Sequence, residues 1–154
     1  MTHRDRVLNA IKHKNADRIP IDFWAEQPTL EKLYSFYGTR ILDKILDDFD
    51  VDMRHVETIM PPEKYYGDFY QNFWGERYIY RETKWGPMRE DILGALSSAK
   101  NIENLEDYDW PNPDDFDYTK LKSTCDKYDG YALMYGFADI WQRPCLVRGL
   151  ENLE

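Results

Sequence analysis

The order of helical and strand patterns over the first 58 residues constrains this chain more than any other feature of it. Thr2 caps a helix, with Asp5 three residues on in a near capping-box arrangement. Val7, Leu8 and Ile11 then repeat at helical spacing, so a helix is predicted over 2–13. A turn over 15–18 leads into Ile19-Pro20-Ile21-Asp22-Phe23-Trp24, a nearly continuous apolar strand whose Pro20 restricts it to a strand start or an edge. Thr29 opens a second helix that Gly38 stops, and Thr39 caps a third with Ile41, Leu42, Ile45, Leu46 and Phe49 on one stripe. A strand over 51–58 follows. Helix, strand, helices, strand, joined by helical crossovers, is the pattern of a parallel sheet covered by helices, an α/β fold.

Beyond position 59 the rhythm changes. Met60-Pro61-Pro62 opens a loop reaching Phe73, 76–81 alternates like a strand, Lys84-Trp85-Gly86-Pro87 turns, and 88–93 returns as its partner. This reads as a β-hairpin inserted on one face of the sheet. The segment 101–118 carries seven acidic residues and no basic one. Leu105, Tyr108, Trp110 and Phe116 give it anchors, so it reads as an ordered connection. Asp114, Asp115 and Asp117 precede a helix over 118–127, where acids favour the helix dipole. Gly130 ends that helix, 131–135 is a third core strand, and 139–150 is helical with Pro144 as a flaw. The expectation is one domain over 1–154, with 60–116 as insert.

A net charge of −9 argues against nucleic acid as a partner, which needs a clustered basic face, and against an anionic membrane surface. No apolar run approaches the roughly 20 residues of a membrane-spanning helix, and no signal-peptide block opens the chain. Two cysteines make no disulfide framework. The chain therefore reads as a reduced, cytoplasmic protein. Aromatic residues make up 16%, many in polar settings such as Lys64-Tyr65-Tyr66-Gly67, which suits either cavity walls or ordinary strand formers covering a sheet.

His3, His13 and His55 are scattered, no His or Cys pair has zinc-site spacing, and 112–118 lacks the central Gly and closing Glu of a calcium loop, so no metal site is expected. Gly-rich phosphate loops and a nucleophile elbow are absent. Cys125 and Cys145 read as small packing residues. Polar residues collect instead at the C-terminal ends of the expected strands, where barrel active sites are built. They are Asp22, Trp24 and Glu26 after the first; Arg54, His55 and Glu57 on and after the second; Tyr135, Asp139 and Arg148 after the third. A plainer reading stands beside several: Asp22 caps a turn, Arg54 pairs with a helix carboxylate, and His55 is a hydrogen-bonded packing residue.

Three segments together resemble the uroporphyrinogen decarboxylase superfamily, most closely its methylcobamide-dependent (corrinoid-dependent) methyltransferase-like branch. They are Thr2-His3-Arg4-Asp5-Arg6-Val7-Leu8-Asn9-Ala10-Ile11 followed by 17–23, the acidic stretch 105–117, and Arg148-Gly149-Leu150-Glu151-Asn152. The resemblance implies the N-terminal portion of a (β/α)8 TIM barrel, about three of its strands, since a whole barrel takes about 250 residues. The chain stops at 150–154 inside a helical pattern, which suits a piece cut before the barrel closes and of marginal stability alone. The resemblance further implies a corrinoid or corrinoid protein, or a small-molecule substrate, as partner, with zinc ligands in a later part of the polypeptide. Where true decarboxylases carry an Arg-rich segment, this chain has Trp24-Ala25-Glu26-Gln27-Pro28-Thr29. Methyl transfer is thus the leading expectation, tetrapyrrole decarboxylation the first alternative, and a complete, non-catalytic, aromatic-rich binding protein the second.

Overall fold

A computed structural model describes residues 1–136 and 140–152. In chain order its elements are α1 (His3–Ile11), α2 (Gln27–Tyr37), α3 (Leu42–Asp48), β1 (Met53–Val56), β2 (Lys64–Tyr65), β3 (Tyr70–Gln71), β4 (Arg77–Thr83), β5 (Gly86–Leu93), α4 (Glu103–Glu106), α5 (Leu121–Lys127), β6 (Ala132–Tyr135) and α6 (Gln142–Arg148). The fold is mixed α/β, with a parallel two-stranded sheet, an antiparallel four-stranded sheet and no closed barrel among the described residues. Contacts divide the chain into two compact units, Met1–Thr58 with Tyr118–Gly136, and Ile59–Asp117 with Phe137–Glu154.

In the first unit β1 and β6 pair in parallel, Met53 opposite Ala132 and Val56 opposite Tyr135. Val7, Ile45, Leu46, Val51, Val56 and Ala132 are buried there. The capping box forms as expected: Thr2 Oγ1 accepts the Asp5 N–H at 3.1 Å, and Asp5 accepts the Thr2 N–H at 3.4 Å. Gly38 ends α2 in the left-handed region, φ 62°. That helix starts at Gln27 rather than Thr29, because Pro28 fits a first turn whose N–H groups have no helical partner. Likewise α5 begins at Leu121 rather than 118.

The strand expected over 19–24 does not form. Pro20 has no N–H to give, and Ile21 makes the segment's one backbone–backbone hydrogen bond, its carbonyl accepting the Asp52 N–H at 2.9 Å. Ile19 stays 85% exposed, so the apolar run is not buried. Two paired core strands therefore stand where three were expected.

The second unit contains the expected hairpin, β4 with β5. The preceding stretch is not a plain loop: β2 and β3 extend the hairpin into the antiparallel order β2-β3-β4-β5. Pairing puts Tyr65, Tyr70 and Tyr78 in one row, with ring centroids 4.8 and 5.6 Å apart. Tyr78 is fully buried, which pushes its phenol well above the usual tyrosine value. In the acidic connection Tyr108 donates to the Trp74 carbonyl at 2.5 Å and Phe116 meets Phe73 edge-on at 5.2 Å. Trp110, expected as an anchor, is 54% exposed; its Nε1–H donates to the Leu105 carbonyl at 3.0 Å and its ring meets Tyr108 edge-on at 4.8 Å.

The helical pattern over 139–150 begins outside the described residues and is cut short at its far end. Pro144 sits in the first turn of α6, Gly149 stops the helix with φ 86°, and Leu150–Asn152 forms a single 3-10 turn. The helix thus ends at Arg148 instead of running on to 150–154.

The backbone of α6 lies so close to Gly94 that a Cβ there would fall 2.4 Å from the Val147 carbonyl oxygen. The neighbouring Leu96 N–H bonds that same oxygen at 2.8 Å, so the helix cannot retreat without losing it. Gly94→Ala is expected to lower stability by about 1–3 kcal/mol, read as a lower urea midpoint at unchanged m-value. An unchanged midpoint would show that the helix can shift freely.

Candidate functional site

The C-terminal edge of the β1–β6 pair gathers part of the polar set expected there. Along β1, Arg54 and Val56 are buried while Met53 and His55 are half-exposed, the alternation a pleated strand imposes. His55 Nε2 lies 2.9 and 3.0 Å from the two carboxylate oxygens of Asp22, which comes from a segment 33 residues earlier. Asp22 Oδ1 also accepts the Phe23 N–H at 2.8 Å, which fixes the carboxylate against its own backbone. A carboxylate so placed sets the orientation and tautomer of the ring, as a general base requires.

Tyr135 stands at the end of β6, its hydroxyl 3.5 Å from Thr58 Oγ1 and its ring 54% exposed. Trp24 is 66% exposed. Glu26 and Glu57 are exposed too, and Glu26 occupies the N-cap position of α2 without a side-chain cap bond. Asp139 lies outside the described residues.

Arg54 is not part of a pocket edge. Its guanidinium donates to the Val51 and Met53 carbonyls at 3.0 and 2.9 Å and to Asp47 on α3 at 2.5 Å, and lies 3.9 Å from the Tyr131 ring centroid. It tethers β1 to α3, the plainer of its two readings. Arg148 belongs to the second unit, where it donates to the Leu96 carbonyl at 2.8 Å, to the Ala99 carbonyl and to the Asn152 carbonyl. Those bonds hold a loop together. Cys125 on α5 and Cys145 on α6 are half-buried free thiols.

The residue that positions the pair is one the sequence reading passed over. Asp52, just before β1, is fully buried. It accepts hydrogen bonds from Arg18 at 2.5 Å, the Ile21 N–H at 2.8 Å and Arg6, with His3 Nδ1 at 2.8 Å. Burial alone would push its pKa up. The bonds from Arg18, Ile21, His3 and Arg6 outweigh that and hold it well below the usual carboxylate range. Arg6 also grips Asp17 at 2.7 and 2.8 Å, which likewise holds that carboxyl low. Asp52 thus fixes Ile21, next to Asp22, and starts the strand that carries His55. An acid flanked by Val51 and Met53 at a strand entrance was the one available signal.

The chain matches no family model, no curated protein and no solved structure. Among the described residues no three His, Cys, Asp or Glu side chains gather as a metal-binding group. No described helix is long and apolar enough to cross a membrane.

Proposed function

We propose that this chain is the front part of a (β/α)8-barrel enzyme of the uroporphyrinogen decarboxylase superfamily, in its methylcobamide-dependent methyltransferase-like branch. The observation that carries the reading is the Asp22–His55 pair at the C-terminal edge of two parallel strands, where barrel enzymes place their reacting groups. The Asp52 clamp supports it, because His3, Arg6, Asp17, Arg18 and Ile21 all belong to the segments that carry the family resemblance. The exposed acids Asp22, Glu26 and Glu57 favour methyl transfer over decarboxylation, since a tetra-acid would meet repulsion there.

In this reading Asp22 orients His55, the imidazole takes or returns a proton at the substrate, and Trp24 and Tyr135 form apolar walls. The residues described do not fit a zinc site, so no step is routed through a metal on them. The test is methyl transfer from methylcobalamin to a thiol, followed by loss of the methyl-corrinoid absorption, on the protein encoded by the whole gene. His55→Ala is expected to lower turnover by about 100-fold or more, the usual contribution of a positioned acid–base group. If no methyl-corrinoid is demethylated by the unmodified protein, the assignment to methyl transfer fails.

A further inference from the structure

The second unit holds a cavity of about 830 Å³, within the range of small-molecule sites. We infer that it binds a small organic molecule carrying one anionic group on an aromatic body. This goes beyond the strand-edge chemistry proposed above and does not depend on it. The argument starts from strand register. Lys64 on β2 is paired with Gln71 on β3, and Gln71 with Arg77 on β4. Residues directly opposite one another share a sheet face, and these three all line the cavity. With strands about 4.8 Å apart, the two cationic side chains stem from points about 10 Å apart, with a neutral amide between them. An anion can be held from both sides there.

Among the described residues neither cation has a carboxylate partner, in a chain that has 29 acidic and only 20 basic residues. Arg6, Arg18, Arg40, Arg54, Arg81, Arg89 and Arg143 each pair with an acid. Arg77 instead rests over the Phe69 ring at 5.0 Å, and Lys64 has no ionic partner among the described residues. Their charge is therefore available to a ligand.

The remaining walls are aromatic and held in place. Phe73 and Phe116 meet edge-on, and Tyr108 is fixed by its bond to the Trp74 carbonyl. The turn beneath them is pinned by Asn72, whose Oδ1 accepts the Trp74 and Glu76 N–H groups at 3.0 and 3.1 Å. Flat, pre-positioned rings suit a planar ligand body. Asp109 and Asp115 also line the cavity, so a polyanion is repelled while a single anionic group is accommodated beside the cations.

The test is calorimetric titration of the full chain with 2-naphthoate and with its neutral isostere, 2-naphthamide. Naphthoate is expected to bind about tenfold or more tightly, the value of a charge-assisted hydrogen bond. In the double variant Lys64→Gln, Arg77→Gln that preference disappears while the chain stays folded, with only the small loss of thermal midpoint expected from the Arg77–Phe69 contact. Equal binding of the two compounds overturns the inference. So does a preference that survives in the double variant, and so does an absence of saturable naphthoate binding at millimolar concentration.

Discussion

Asp52→Ala is expected to destabilise the protein by about 3–5 kcal/mol, the range for removing one partner of a buried ionic cluster. The carboxylate is fully buried, and Arg6, only 8% exposed, loses a charged partner it cannot replace with water. Ile21 loses its acceptor at the same time. In equilibrium urea unfolding the midpoint falls with little change in m-value. A loss below about 1 kcal/mol would reject the clamp as a stabilising device. The pH dependence carries a sign that can be checked separately. A carboxyl held below its unfolded value of 3.8 contributes stability that is present above that value and lost as pH falls below it. Asp17 acts in the same direction. The protein should therefore lose stability steadily on acidification below about pH 4, and Asp52→Asn should flatten that slope.

Glu76→Ala is the second large effect, expected at about 3 kcal/mol. Glu76 is 1% exposed and accepts from Asn72 at 2.7 Å, Arg143 at 2.8 Å and Arg89 at 3.0 Å. The two arginines are about a third exposed and can recover water, which sets the effect at the lower end of the range. Arg143 belongs to α6, 67 residues away, so the carboxylate fastens that helix to the antiparallel sheet. Its guanidinium also lies 5.1 Å from the Trp74 ring centroid. Limited trypsin digestion gives an independent readout: cleavage after Arg148, at the end of α6, should accelerate in Glu76→Ala and less so in Glu76→Gln. Unchanged cleavage together with an unchanged urea midpoint would show that α6 is held by something else.

Features written over a few neighbouring residues were legible without coordinates. The Thr2–Asp5 capping box, the Gly38 stop and the hairpin, which turns at Lys84-Trp85 between Thr83 and Gly86, each depend on hydrogen bonds or backbone conformations within a short stretch. The alternation of helical and strand periods likewise pointed to parallel pairing, and β1 lies parallel to β6. Segment 19–24 misled because an apolar run records the tendency to be buried, not whether a partner strand is available; with Pro20 lacking an N–H and one backbone–backbone bond at Ile21, it stays irregular. Strands of two residues, such as β2 and β3, have no period to read and exist only through their neighbours.

What only the tertiary structure decided is which polar groups meet. Asp52 gathers partners 49, 46 and 34 residues away, and Asp22 finds His55 across 33. Arg54, a candidate at the strand edge, turned inward to Asp47 and the Tyr131 ring. Lys64 and Arg77 became one anion-facing row through strand register. Sequence by itself determined the helices to within a turn, the Thr2 and Gly38 caps and the hairpin, because backbone hydrogen bonding and side-chain period act over a turn or a strand. Thr39 does not cap α3, whose N-cap is Ile41 without a side-chain bond. Charge pairing was settled by burial and chain crossing, since an ion pair is strong only where water is excluded, and that depends on every segment packed around it.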